Sequence, residues 1–168
     1  GLGVGSRTDD YLAAPAAFTE RGARLDEQLA VMKRIWAGER VAEDVGPIGP
    51  RPAREGGPEL LIGAITPRAI ARVGRWADGF VAPGSGGAEK AREAYALAEA
   101  SWKAAGRAGR PRLVIGTYAA LGPQARERAT ECIKDYYAFG GATMAEQMGR
   151  SASCTPEEIR STISAFAD

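Results

Sequence analysis

The chain has 168 residues, 45% of them hydrophobic, which is typical of one folded domain with a substantial core. Its 22 basic and 21 acidic residues leave a net charge of +1, so there is no electrostatic case for nucleic acid or an anionic membrane as partner. The sequence has no histidine, which excludes Ser–His and Cys–His catalysis and most zinc sites within these residues, and we expect no metal.

The cysteines and the lengths of the apolar runs indicate in which cellular compartment the protein is expected. Cys132 and Cys154 fit no metal-ligand spacing and predict two reduced thiols in a cytoplasmic protein. No apolar run is long enough to cross a membrane, and we expect no membrane partner. The many alanine, arginine and glycine residues are typical of a bacterial source.

The chain opens with a strand end, a loop and a long helix. Residues 1–5 have the character of a buried strand, and residues 6–16 are predicted to be a loop. A helix is predicted over 17–37, because apolar residues recur there every three or four positions. That stripe comprises Phe18, Gly22, Leu25, Leu29, Met32 and Trp36. Residues 39–58 are rich in proline and glycine and predict an irregular insertion.

Strands and helices alternate through the remainder of the chain, which indicates a parallel sheet. Strands are predicted over 59–63, 78–82 and 112–118. Helices are predicted over 66–76, 88–106, 123–139 and 143–149, with a last helix from Pro156. Thr155 and Glu158 have the spacing of a capping box for that last helix.

The turn between the second strand and its helix is the strongest candidate site. Thr66 is a favoured N-cap residue and Pro67 a favoured first helical residue. Backbone N–H groups at such a turn point together and suit a phosphate. We therefore predict that Gly63, Ala64, Ile65 and Thr66 bind a cofactor phosphate. The alternative is an ordinary strand-to-helix turn that binds nothing.

Gly5, Ser6 and Arg7 form a second candidate, because they follow the end of the first strand. The alternating glycines before them are a weak nucleotide signature, and tight strand packing is the competing interpretation. Asp26 and Glu27 lie within a helix among basic residues and predict a solvated or ion-paired surface, not a catalytic pair.

Three blocks of the sequence together resemble the luciferase-like monooxygenase family. They are the glycine-rich start over 1–11, the Arg-Gly-Ala-Arg-Leu-Asp-Glu helix with its Trp-Ala-Gly-Glu ending over 18–39, and the strand–helix–strand segment over 61–79. Their order and spacing carry the resemblance, which covers about the first 80 residues and weakens after them. An arginine that contacts the cofactor phosphate in some family members has Val4 in its place here.

The resemblance implies a (β/α)₈ barrel, of which this chain is too short to hold the whole. Such barrels need about 250 residues. We therefore expect an α/β chain that forms a single truncated domain over 1–168, with about strands 4–7 of the barrel and their helices. By this reading the chain is an internal piece of a larger enzyme, without strands one to three and strand eight.

The resemblance also implies an oxidoreductase or monooxygenase that uses reduced flavin mononucleotide (FMN) or the deazaflavin coenzyme F420 on a small-molecule substrate. It implies a homodimer, and it names no catalytic residues, because the strands that shape the ring pocket are the missing ones. The chain alone is expected to be inactive. The second hypothesis is a non-catalytic, structural half-barrel that binds no cofactor and self-associates.

Overall fold

The computed structural model of the protein describes residues 1–167 and forms an α/β structure with eight α-helices and three strands in that range. The strands are β1 (Leu61–Gly63), β2 (Gly79–Pro83) and β3 (Arg112–Gly116). The helices are α1 (Thr8–Ala13), α2 (Arg21–Trp36), α3 (Pro67–Ile70), α4 (Arg72–Trp76), α5 (Gly87–Ala104), α6 (Ala125–Tyr136), α7 (Ala142–Gly149) and α8 (Pro156–Ala167). No helix in this range is both long and apolar enough to cross a membrane.

The three strands form one sheet in the order β1-β2-β3. β1 and β2 are parallel, with Ile62 opposite Phe80 and Gly63 opposite Val81. The N-terminal segment extends this arrangement, because Leu2 forms a parallel bridge with Ile62. Strands joined through helices therefore lie parallel, as the alternating pattern predicted.

Residues 1–81 and 97–113 form one compact unit. Its core is built from β1 and β2 side chains and from α2 and α4, where Leu29, Ile62, Val73 and Phe80 are fully buried. Asp78 closes the start of the sheet: its carboxylate accepts the Leu60 N–H at 2.8 Å. Asp78 is thus a structural residue at the N-terminal end of β2, which is the stability end of a barrel strand.

Residues 82–96 and the chain from Val114 onward form a second compact unit. Its core joins α6 and α7 to the segment before α8, through Ile133, Met148, Ala152 and Cys154. A parallel bridge links Ala119 to Ser153. Both cysteines are free thiols, Cys132 exposed and Cys154 buried.

Most predicted elements match the observed ones with small shifts, but three predictions were wrong. Residues 1–5, predicted as part of a buried strand, form only a bridge at Leu2, and none of them is buried. Residues 8–13 are helical, not loop, although no side chain caps α1. The helix predicted over 66–76 is two short helices that meet at Ala71. Residues 39–58 hold no helix or strand, only an isolated bridge between Ala42 and Val45.

The cap of α8 is half as predicted. The Thr155 hydroxyl accepts the Glu158 N–H at 3.1 Å, which is one arm of the capping box. The Glu158 carboxylate accepts the N–H of Cys154 at 2.6 Å and pairs with Arg126, while the Thr155 N–H, the other arm of the box, makes only the smallest contribution to its pKa. These contacts lower the pKa of Glu158, first through the Cys154 N–H.

Candidate functional site

The turn that follows β1 contains three backbone donors without an acceptor. The N–H groups of Ala64, Ile65 and Thr66 donate to no acceptor within residues 1–167. Residue 65 is three-quarters exposed, so the turn faces solvent. Backbone N–H groups that the protein leaves unbonded at the carboxyl end of a parallel strand are suited to an anion.

Gly63 differs from the three residues after it. Its N–H donates to the Leu2 carbonyl at 2.8 Å, which fixes the strand end beside the N-terminal segment. A Cβ atom at Gly63 would have no neighbour nearer than the Leu2 oxygen at 3.9 Å. Gly63 would therefore serve a bound group by its lack of a side chain, while the next three amides supply the hydrogen bonds.

Thr66 sets the direction of the helix start. It has extended backbone angles, with φ −90° and ψ 148°, and Pro67 follows as the first helical residue. The Thr66 hydroxyl accepts the Ala69 N–H at 3.4 Å, as expected of an N-cap. The start of α3 is therefore fixed by local sequence, and the turn before it is held in one geometry.

A cleft of about 210 Å³ opens beside this turn and is rich in arginine. Its lining comprises Val4, Thr19, Arg21, Gly22, Ala23, Thr66, Arg68, Ala69 and Arg72. Three arginines thus line one cleft, and none of its lining residues is acidic. The cleft lies wholly within the first unit.

Arg72 is paired with the half-buried carboxylate of Asp26. Its Nε and Nη2 donate to the two Asp26 oxygens at 3.0 Å each, and the Trp76 indole N–H donates to the same carboxylate at 2.8 Å. The Arg72 and Asp26 side chains are only 13% and 26% exposed. Gly22 makes room for this pair, because a Cβ there would lie 2.6 Å from Arg72 Nη2. Asp26 is therefore an ion-paired residue, as predicted.

Arg21 and Arg68 have no carboxylate partner among residues 1–167. The Arg21 guanidinium lies 3.7 Å from the centre of the Phe18 ring and donates from Nη1 to the Phe18 carbonyl at 2.7 Å. Its Nε is buried with no acceptor. Arg68 is exposed on α3, two residues after Thr66. The cleft therefore carries two positive charges that the described chain does not balance.

The second predicted group lies apart from the lining of this cleft. Val4 lines it, but Gly5, Ser6 and Arg7 do not. The Arg7 Nε donates to Asp9 at 3.1 Å in an exposed pair. Gly5 has φ 72°, a left-handed conformation that suits glycine. The structure thus joins the turn after β1 to Val4, and the role of Gly5, Ser6 and Arg7 stays a prediction.

The two arginines of the cleft that lack a carboxylate partner, Arg21 and Arg68, were not among the site residues predicted from the sequence. Arg68 directly follows the N-cap and Pro67, and a basic residue at the start of a helix was a signal that could have been read. Arg21 is far from it in sequence, on α2. Only the packing of α2 against the β1–α3 turn brings the two arginines to one cleft.

Comparisons with known proteins agree with this architecture. The family model of luciferase-like monooxygenases matches residues 1–165. The crystal structure of monooxygenase RslO1 from Streptomyces bottropensis is similar with a TM-score of 0.67 and 22% identity, over 99% of this chain and 57% of that one. No curated protein matches the chain.

A second solved structure is an F420-dependent secondary alcohol dehydrogenase in complex with an F420–acetone adduct. It is similar with a TM-score of 0.74 and 13% identity, over 98% of this chain and 59% of that one. At these identities the likeness shows the fold alone. The chain spans less than two thirds of the length of either structure, which confirms the prediction of a partial (β/α)₈ barrel. With the family match over residues 1–165, the chain belongs to the luciferase-like monooxygenase family.

Proposed function

We propose that the whole protein is an oxidoreductase that uses FMN or F420, and that the turn over Gly63, Ala64, Ile65 and Thr66 holds the cofactor phosphate. The observation that carries the proposal is the set of three unbonded N–H groups at Ala64, Ile65 and Thr66. Membership of the luciferase-like monooxygenase family supports a redox reaction on a small molecule. The F420-dependent relative supports F420 as one of the two candidate cofactors.

The bound cofactor would supply the redox chemistry, and the protein residues would bind and orient it. At the turn, three backbone donors and the Thr66 hydroxyl are available to phosphate oxygens, with Arg68 and Arg21 close by in the cleft. Charge-assisted hydrogen bonds of this kind contribute about 1.5–3 kcal/mol each. The described residues do not include a group to which we assign the chemical step. A homodimer and a cytoplasmic location, expected from the sequence, stay predictions.

The experiment is a search for a bound chromophore in the whole protein. We expect the purified protein to carry, or to take up on titration, one equivalent of FMN or F420, with a shifted absorbance spectrum. If neither compound binds, the alternative of a non-catalytic structural half-barrel replaces this proposal. The proposal is supported if the protein binds FMN or F420 and reduces the bound compound in the presence of an electron donor.

A further inference from the structure

We infer that the cleft lined by Arg21 and Arg68 binds a second anionic group of the cofactor, beyond the phosphate at the Gly63–Thr66 turn. The inference rests on the proposed function, and it selects between the two cofactors. FMN ends at its phosphate. F420 continues from its phosphate into a lactyl-glutamate chain that carries carboxylates.

Two arginines of the cleft have no carboxylate partner in the described chain. Of the three arginines that line the cleft, only Arg72 has a carboxylate, that of Asp26. Arg21 and Arg68 keep their charges unpaired against the described chain, and no acidic side chain lines the cleft. Two like charges in one cleft repel each other, and an anion between them removes that repulsion.

The Arg21 guanidinium is held in a fixed orientation, and its Nε lacks an acceptor. Its guanidinium is stacked on Phe18 and anchored to the Phe18 carbonyl, so its orientation is fixed before any ligand arrives. Its Nε is buried without an acceptor, which is costly for a charged group. A guanidinium held in this way loses little conformational freedom when it binds a carboxylate or phosphate. An anion in the cleft would also offset the cost of burying the Arg21 charge.

The cleft is large enough to hold more than a phosphate group. The cleft of about 210 Å³ is many times the roughly 10–15 Å³ that a single water needs by the same measure. Its lining includes Thr66 on the turn, Thr19 just before α2 and Ala23 on α2. A phosphate held by the turn amides lies at the Thr66 side, so we expect it to leave room on the α2 side, to which Arg21 belongs.

The test compares three ligands on the whole protein: F420 with its glutamate chain, the same deazaflavin cut back to its phosphate, and FMN. Each is titrated into the wild type, into Arg68→Ala and into Arg24→Ala. Arg24 is the matched control, because it is an exposed arginine on α2 that does not line the cleft.

We expect Arg68→Ala to weaken the binding of full-length F420 at least tenfold and the binding of the shortened deazaflavin and of FMN less than threefold. Arg24→Ala should change none of the three. An equal loss for all three ligands in Arg68→Ala would overturn the inference, because Arg68 would then serve the shared phosphate. The inference is also overturned if Arg68→Ala leaves the affinity for F420 unchanged. It is overturned as well if the wild type binds FMN more tightly than F420. In each of those cases the proposed function stands, whereas a wild type that binds none of the three overturns the proposed function itself.

Discussion

Gly74 lies where α4 packs against α5, and the contact leaves no space for a side chain. A Cβ at Gly74 would lie 2.1 Å from the Ser101 carbonyl oxygen, which is backbone and cannot rotate away. The Ser101 hydroxyl also accepts the Gly74 N–H at 3.1 Å, so the two helices are joined at this point. Glycine is thus required here by close approach and not by its backbone angles.

We predict that Gly74→Ala destabilises the protein by about 2 kcal/mol, because overpacking commonly costs about 1–3 kcal/mol. Gly116→Ala is the matched control, since nothing lies within 4 Å of a Cβ built there. Its free energy of unfolding should change by less than about 0.5 kcal/mol. Chemical denaturation of both variants measures the difference, and equal stabilities would show that α4 and α5 are farther apart than described.

The pair Tyr118 and Tyr137 joins the end of α6 to the segment after β3. Their hydroxyl groups are 2.8 Å apart, and their rings meet edge to face with centres 6.4 Å apart. Burial raises the pKa of Tyr137 from its ordinary value of 10.0 to about 12, and the hydrogen bond and charge of Tyr118 add to the effect. Tyr137 therefore resists ionisation more than an isolated tyrosine does.

The raised pKa of Tyr137 has a consequence at high pH. The folded form holds the proton more tightly than the unfolded form, so its stabilising effect is complete below pH 10.0 and is lost as pH rises toward about 12. In Tyr118→Phe we expect the pKa of Tyr137 to fall but to stay above 10.0, because burial remains. Near-ultraviolet titration of tyrosinate in both proteins measures this. If Tyr118→Phe leaves the pKa of Tyr137 unchanged, the hydrogen bond between the two hydroxyl groups is not a cause of the raised pKa.

Elements with strong local signals were predictable from the sequence, and those that depend on distant contacts were not. Thr66 and Pro67 mark the start of α3 by themselves, and the apolar stripe of α2 marks its buried face. α1 has no such signal. It is held by Tyr11, whose hydroxyl donates to the Val4 carbonyl and whose ring meets Phe18 at 5.3 Å. Those are tertiary contacts, which can override local helix propensity and cannot be predicted from it.

The same limit applies to the candidate site. The turn after β1 was found because strand, glycine, N-cap and proline are adjacent in sequence. The cleft beside it was not, because Arg21 and Arg68 come from separate elements. Asp26 was predicted to be either solvated or ion-paired, and its partner is Arg72 on α4, not a basic neighbour on α2. Spacing along one helix shows which charges share a face, not which element packs against it.

At the scale of the whole molecule, the sheet of the described chain has three strands, whereas a closed barrel of this type has eight. Ile62 and Phe80 are fully buried, while Val81, Val114 and Ile115 are only partly covered. Partly covered apolar strands and open sheet edges favour association. The dimer expected from the sequence follows the same reasoning.

We predict that the isolated chain self-associates as its concentration rises. Light scattering over a range of concentrations should give at least twice the mass of one chain. A single-chain mass at every concentration, with one cooperative melt, would contradict the expectation that this sheet needs further covering.

The isolated chain should also bind FMN poorly, with a dissociation constant above about 1 μM. It retains the turn and the cleft, which suit the anionic end of a cofactor, but only part of the barrel that would cover the ring. Fluorescence titration of FMN with the purified chain tests this. Tighter binding would mean that the residues described here form a complete cofactor site.

Gly63→Val in the whole protein tests most directly whether the turn after β1 anchors the cofactor. A Cβ at Gly63 meets no atom nearer than 3.9 Å, so the fold should tolerate the change, whereas a branched side chain would keep a phosphate from the turn. Titration of wild type and variant with the cofactor, with thermal unfolding as the control, separates the two effects. We predict a loss of about 1–3 kcal/mol in binding free energy and a smaller loss of stability. Unchanged cofactor affinity in a folded Gly63→Val variant would contradict the claim and move the phosphate to another part of the protein.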